Sequence, residues 1–361
     1  MLSAALALAL AVAPATGPAS GPPVDVTLPT VHDVQASVDV APARDVLLLL
    51  GGGPDAPAAL RRLRASRAFS VAFSRDGGNP EDLLGRLVSV AAGTPDPLLS
   101  GYARRAATFG KVLDALETEG TPGGLVQARR VAALLPSSRP VEARLVLVPL
   151  LGLGGFDDVV AEEDGETIWL FADLPRLSPE GPAEVVPREA VLSLLRAAAA
   201  ESWKRLFAPF RQPPGWPGET GPDFDTLLAR TVNDGPETLF LIPDEFYPLG
   251  TMFEEPIERS FARWNAATET LLDPKASAET RREAFLSVTT RGDFWRRHAP
   301  VVGAKVTETI LRRAGTKRFV EALAEGPRAV AALYVEVTRK TKEPQLGKAA
   351  KKALEPPPAP R

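Results

Sequence analysis

The spacing of apolar residues changes period twice along this chain of 361 residues, and that change limits the folds open to it. From Pro54 to Leu135 the spacing is helical, in candidate helices Pro57–Phe69, Glu81–Val90, Leu98–Leu116 and Gly124–Leu135, each bounded by Gly, Pro or Asp-Gly. Ala143–Leu151 and Glu166–Ala172 are instead short and rich in Val, Leu, Ile and aromatic residues, which predicts a strand pair. Between them lies a glycine-rich, acidic stretch, Gly152–Gly165. Helical spacing then returns in Arg188–Phe207, Phe224–Val232, Leu249–Leu272, Ala278–Thr289, Val301–Ala314 and Gly326–Thr338. Val24–Val40 alternates apolar and polar residues and suits one or two short strands, whereas Asp45–Leu50 fits strand or helix equally well. The predicted strands are not interleaved as βαβ units. An α+β, mainly α-helical architecture with a small β-sheet follows.

Composition removes whole classes of chemistry. Without cysteine there is no disulfide, no thiolate metal site and no cysteine nucleophile. The net charge of -3 gives no surplus of Lys and Arg for phosphate backbones, so no nucleic-acid partner is expected. Only two histidines occur, His32 and His298. No G-x-S-x-G elbow, S-x-x-K set or P-loop is present, and Gly51-Gly52-Gly53 and Gly152-Leu153-Gly154-Gly155 read as turns.

The N-terminus carries an address. Leu2–Ala13 is an unbroken apolar run followed by Pro14 and small residues, with Ala11-Val12-Ala13 as one A-x-A site. This is the pattern of a signal peptide over residues 1–21, although no Lys or Arg precedes the run. The run falls short of the roughly 20 residues that span a bilayer. Export to the periplasm or the exterior is the expectation, with no transmembrane segment and no lipid anchor. Residues 22–138 form an N-terminal, mostly helical region, and residues 339–361 a disordered basic tail.

The order of elements from Val141 to Val337 resembles the gluzincin, or thermolysin-like, zinc metallopeptidases. In that family strands precede a helix bearing H-E-x-x-H, and a second helix supplies a Glu ligand. The first helix would be Arg188–Phe207, REAVLSLLRAAAAESWKRLF, and the second Leu227–Phe240, with Asn233-Asp234-Gly235-Pro236-Glu237 as its acidic-glycine stretch. Pro300-Val301-Val302-Gly303 through Tyr334 is similar to the closing helical pattern. The resemblance implies a metallopeptidase-like helical scaffold over residues 139–338.

The zinc chemistry does not follow. H-E-x-x-H works because residues i and i+4 share a helical face and present two imidazoles to the metal. Under the resemblance Ala197 and Ala198 stand where the first His and the catalytic Glu belong, Glu201 replaces the second His, and Asp234 the third ligand. No register of that helix contains a histidine. The chain is therefore read as a degenerate member with no metal and no cofactor. It is expected to act as a binding or structural module, with a peptide or an envelope protein in the former cleft.

What remains on the helix is a stripe, Val191, Leu195, Ala198, Ser202 and Leu206, whose small central residues suit the close approach of a neighbour. An alternative chemistry rests on Glu254 and Glu258, which share a helical face at i and i+4 beside Glu255. Such a pair serves as acid and base only if burial separates the two pKa values. His298, next to Arg296 and Arg297, is the remaining candidate there, while His32 receives no role.

Overall fold

The computed structural model describes residues 32–74, 78–136, 141–151, 160–164, 167–177, 187–211, 223–242, 249, 253–289 and 294–355. The expected signal peptide at residues 1–21, the strand residues 24–31 and most of Gly152–Gly165 lie outside them. The described residues divide into two compact units. The first holds His32–Ala132 and Val141–Ser202, and the second holds, of the described residues, 133–136 and Trp203 onward. This boundary differs from the expected one near residue 138, because the strands around residue 145 pair with a strand from the N-terminal region.

That strand is β1 (Asp33–Val38). It runs parallel to β2 (Glu142–Leu150), with Val34 opposite Ala143 and Val38 opposite Leu147. β2 runs parallel to β4 (Thr167–Asp173), and β3 (Val160–Asp164) closes the sheet antiparallel to β4, in the order β1-β2-β4-β3. The expected strand pair is present, but its partners form a crossover that the reading without βαβ units excluded. Six consecutive residues of β2, Leu145–Leu150, are buried, as a strand covered on both faces requires. Pro149 sits past the end of β1, where β2 has a paired neighbour on one side only.

Among the described residues, seven α-helices link β1 to β2: α1 (Ala41–Gly51), α2 (Ala56–Ala65), α3 (Arg67–Phe73), α4 (Pro80–Ala91), α5 (Pro97–Arg104), α6 (Ala106–Ala115) and α7 (Thr121–Leu134). The ambiguous Asp45–Leu50 is thus helical. Capping explains two departures from the expected boundaries. Ser66 takes an extended backbone and accepts the Phe69 N–H, which splits Pro57–Phe69 into α2 and α3. Arg105 leaves helical geometry and splits the next segment into α5 and α6. Asn79 and Asp96 cap α4 and α5, each followed by proline at the first helical position. A π-turn at Leu116–Gly120 joins α6 to α7 beneath β1. A Cβ on Gly120 would lie 2.9 Å from Val38 Cγ2, so glycine permits that approach.

After β4 come α8 (Leu174–Leu177) and α9 (Pro187–Phe207), inside which the boundary between units falls. The second unit contains α10 (Phe224–Leu241), α11 (Glu254–Leu272), α12 (Ala278–Thr289), α13 (His298–Glu325), α14 (Pro327–Thr338) and α15 (Lys348–Leu354). Helix α13 breaks at Gly315, whose φ of 83° suits glycine. Trp264 and Tyr334 are fully enclosed, and the Trp264 indole N–H donates to Thr231 Oγ1 at 2.9 Å. Among the described residues no helix is long and apolar enough to cross a membrane.

The basic tail is not disordered as far as residue 355. Leu346 and Ala350 are buried, and the Tyr334 hydroxyl donates to Pro344 O. An apolar residue four places before a second one lets this segment bury a face despite its lysines. Residues 356–361 lie outside the described residues.

Helices α10 and α13 cross where two glycines meet. A Cβ on Gly303 would fall 1.9 Å from Thr231 O, and one on Gly235 would fall 2.6 Å from the Gly303 carbonyl carbon. Neither position has room for a methyl group. Gly303→Ala should therefore cost at least about 3 kcal/mol in chemical denaturation, at the upper end for overpacking. Gly85→Ala is the control: it is exposed within α4 with nothing within 4 Å of the added Cβ, and should gain about 0.5–1 kcal/mol.

Candidate functional site

Helix α9 packs as its stripe implies. Val191, Leu195, Ala198, Ser202 and Leu206 are all buried. Ala198, with Leu195, Ala199 and Ser202, faces Val131 on α7 and Leu145 on β2 around a cavity of about 20 Å³. That volume holds roughly one water molecule, far below the several hundred Å³ of a ligand pocket. Gly123 admits α9 closely, since its Cβ would stand 2.7 Å from Leu195 Cδ1. The Ser202 hydroxyl is spent on Ala198 O at 2.6 Å. Ala197 and Glu201 are half-buried on the same helix. Glu201 belongs to the first unit and Asp234 to the second. Among the described residues no three His, Asp or Glu side chains gather into a metal-binding group.

Both histidines have hydrogen-bond partners. His32 Nδ1 accepts the Val141 N–H at 3.1 Å, beside the Asp33 N–H bond to Val141 O, so the ring pins the start of β1 to the start of β2. His298 opens α13, and its Nδ1 lies 3.1 Å from Ser260 Oγ on α11. Ser260 is fully buried and its hydroxyl donates to Pro256 O at 2.8 Å. With that proton committed, Ser260 Oγ accepts from His298 Nδ1–H, which places the lone pair on Nε2. A buried serine whose proton points at its own helix is not a nucleophile. Burial lowers the His298 pKa, and the nearby Arg263 and Arg259 add repulsion.

Glu254 and Glu258 do share a face of α11, but both are exposed. The burial that would separate their pKa values is missing. Arg259 pairs instead with Glu255 at 2.7 Å. Asp234 is different. Burial raises its pKa against the opposing influence of Arg297, the Asn233 hydrogen bond, Arg230 and Lys204. Asp234 Oδ1 accepts from Asn233 Nδ2 at 3.3 Å, and Lys204 faces Glu237 at 3.8 Å. Asp234, Glu237 and Arg230 of α10 thus sit near Lys204 of α9 and Arg297, a polar group that neither helical spacing nor any motif marks out.

The strongest electrostatic feature escaped the sequence reading. On α13, Lys305 is 1% exposed, and its ammonium lies 2.9 Å from Glu308 and 3.0 Å from Glu343. Arg312 bonds both carboxylates, and Arg313 reaches Glu343 at 3.3 Å. Burial acts to raise the Glu343 pKa, but Lys305 and Arg312 more than offset it and hold it at about 2. A signal was present: Lys305, Glu308 and Arg312 are three and four apart within Val301–Arg312, a stretch otherwise made mostly of apolar and small residues. The fifth member, from beyond α14, was hidden within the supposed tail.

Two measurements follow. Glu343→Gln should cost about 2–4 kcal/mol at neutral pH, because it strands Lys305 in the interior. The folded pKa is depressed, so this difference from the unchanged chain should be full above about pH 4.5 and fade as pH falls toward about 2. His298 also has a lowered folded pKa, but as a base it favours the neutral ring. Its unfolded state takes up a proton first, so stability should drop as pH falls through about 6.5. That step in a urea-denaturation series across pH should be absent from His298→Gln.

No protein-family model matches this chain, and comparison with curated proteins and with solved structures returns no significant match.

Proposed function

We propose that this protein is an exported, peptidase-like module that binds or scaffolds a partner, without zinc chemistry. The observation that carries the reading is the use of the helix that would bear the metal motif. Its Ala198 face is packed against a sheet and a glycine-bearing helix, leaving room for about one water. Three ligands of suitable chemistry are needed to hold catalytic zinc. The two imidazoles sit on other elements, one bonded through Nδ1 to the backbone just before β2 and one through Nδ1 to Ser260. A peptide or an envelope protein is the partner class proposed for the former cleft. Hydrolysis by Glu254 and Glu258 has less support, since both carboxylates are solvated and so suit the N-terminal end of a helix simply as charges.

The test is metal content. Tag-free protein incubated with excess zinc and then desalted should retain near-zero zinc by plasma mass spectrometry, and should not cleave peptides in a chelator-sensitive way. One zinc per chain, with such cleavage, would overturn the reading.

A further inference from the structure

The segment after α14 is held the way a receptor holds an extended peptide. Glu343 anchors its carboxylate on Lys305, Arg312 and Arg313. Tyr334 donates its hydroxyl to Pro344 O at 2.6 Å. Asn265 then reads the backbone at two points: its Nδ2 donates to Gln345 O at 3.1 Å, and its Oδ1 accepts the Gly347 N–H at 2.7 Å. Leu346 is 4% exposed between these points. A Cβ on residue 347 would come within 3.2 Å of the Asn265 side chain, so the receptor also favours glycine there.

These groups divide into a receptor on α11, α13 and α14 and a ligand, Glu-Pro-Gln-Leu-Gly. Three of the bonds go to the ligand's backbone, as in other modes of extended-peptide recognition, while the Glu343 carboxylate and one apolar side chain supply selectivity. The receptor charges are costly to bury alone, because Lys305 has only Glu308 left once Glu343 departs. The stretch joining ligand to receptor is short and exposed at Arg339 and Lys340.

We propose that this groove is a peptide-binding site, filled in the present state by the protein's own C-terminal arm. Its partner in trans is an extended segment with an acidic residue, an apolar residue three positions later and glycine directly after it. The inference is independent of the zinc-free reading, and holds whether or not the chain catalyses a reaction.

A protease site inserted between Lys340 and Thr341 of the full chain allows the arm to be cut in the folded protein. After cutting, a fluorescent peptide of residues 341–355 should exchange into the groove, read by polarisation. The same peptide with Glu343→Lys should compete at least about a hundredfold less well, the scale of a broken buried ion pair. A peptide that never enters the cut, folded protein, or that enters regardless of the charge reversal, would overturn the proposal. Uncut Glu343→Gln protein gives a second reading, since its own arm is weakened while its receptor is intact. It should bind the unchanged peptide at least about tenfold more tightly than the unchanged protein does; equal binding, or none to either, counts against the site.

Discussion

The second unit depends on backbone touching backbone. Where α10 crosses α13, Gly235 and Gly303 remove two side chains from the interface, and the helices approach until a carbonyl of one faces a Cα of the other. At that distance the rest of the packing has little freedom. Thr231, one turn before Gly235, turns its hydroxyl to Leu227 O and receives the Trp264 indole, so α11 is drawn onto the same crossing. Val302 and Ala304, on either side of Gly303, are enclosed, and Lys305 follows two residues on with nowhere to reach water.

That position explains why the charges of α13 form a network. A lysine in a dry interior needs carboxylate partners for its ammonium or loses its proton. Glu308 on the same helix satisfies part of the demand, and Glu343 supplies the rest from a segment distant in sequence. Arg312 then balances the second carboxylate. Close helix packing thus creates a buried cation, and the buried cation recruits the chain after α14. The arm is ordered because the helix crossing leaves it a place, although its composition of lysine and alanine reads as solvated.

What could be read from the sequence was the material that repeats. Helices such as Ala278–Thr289 matched their spacing, and β2 and β4 announced themselves by β-branched and aromatic residues. The packing stripe on α9 was equally legible, since Val191, Leu195, Ala198, Ser202 and Leu206 recur at helical spacing and all are buried. Partnership between distant segments was not. Nothing in Asp33–Val38 says that it pairs with Glu142–Leu147, because strand pairing leaves no local pattern. Ser260 gave no sign of meeting His298, and Glu343 none of meeting Lys305, for the same reason: a polar contact across the fold is set by geometry that period and composition do not encode.

The parallel pairing of β1 with β2 has a bearing on the order in which the first unit forms. Its two strands are separated by seven helices, whose contacts are largely local and can form early. The β1–β2 pairing instead must close a loop of about a hundred residues before it gains its ladder bonds, an entropic cost that rises only slowly with length but is met all at once. A chain arranged in this way is expected to assemble its helices before β1 reaches its partner. At the mouth of that loop stands the ring of His32, whose bond to the Val141 N–H ties the two ends of the long excursion together.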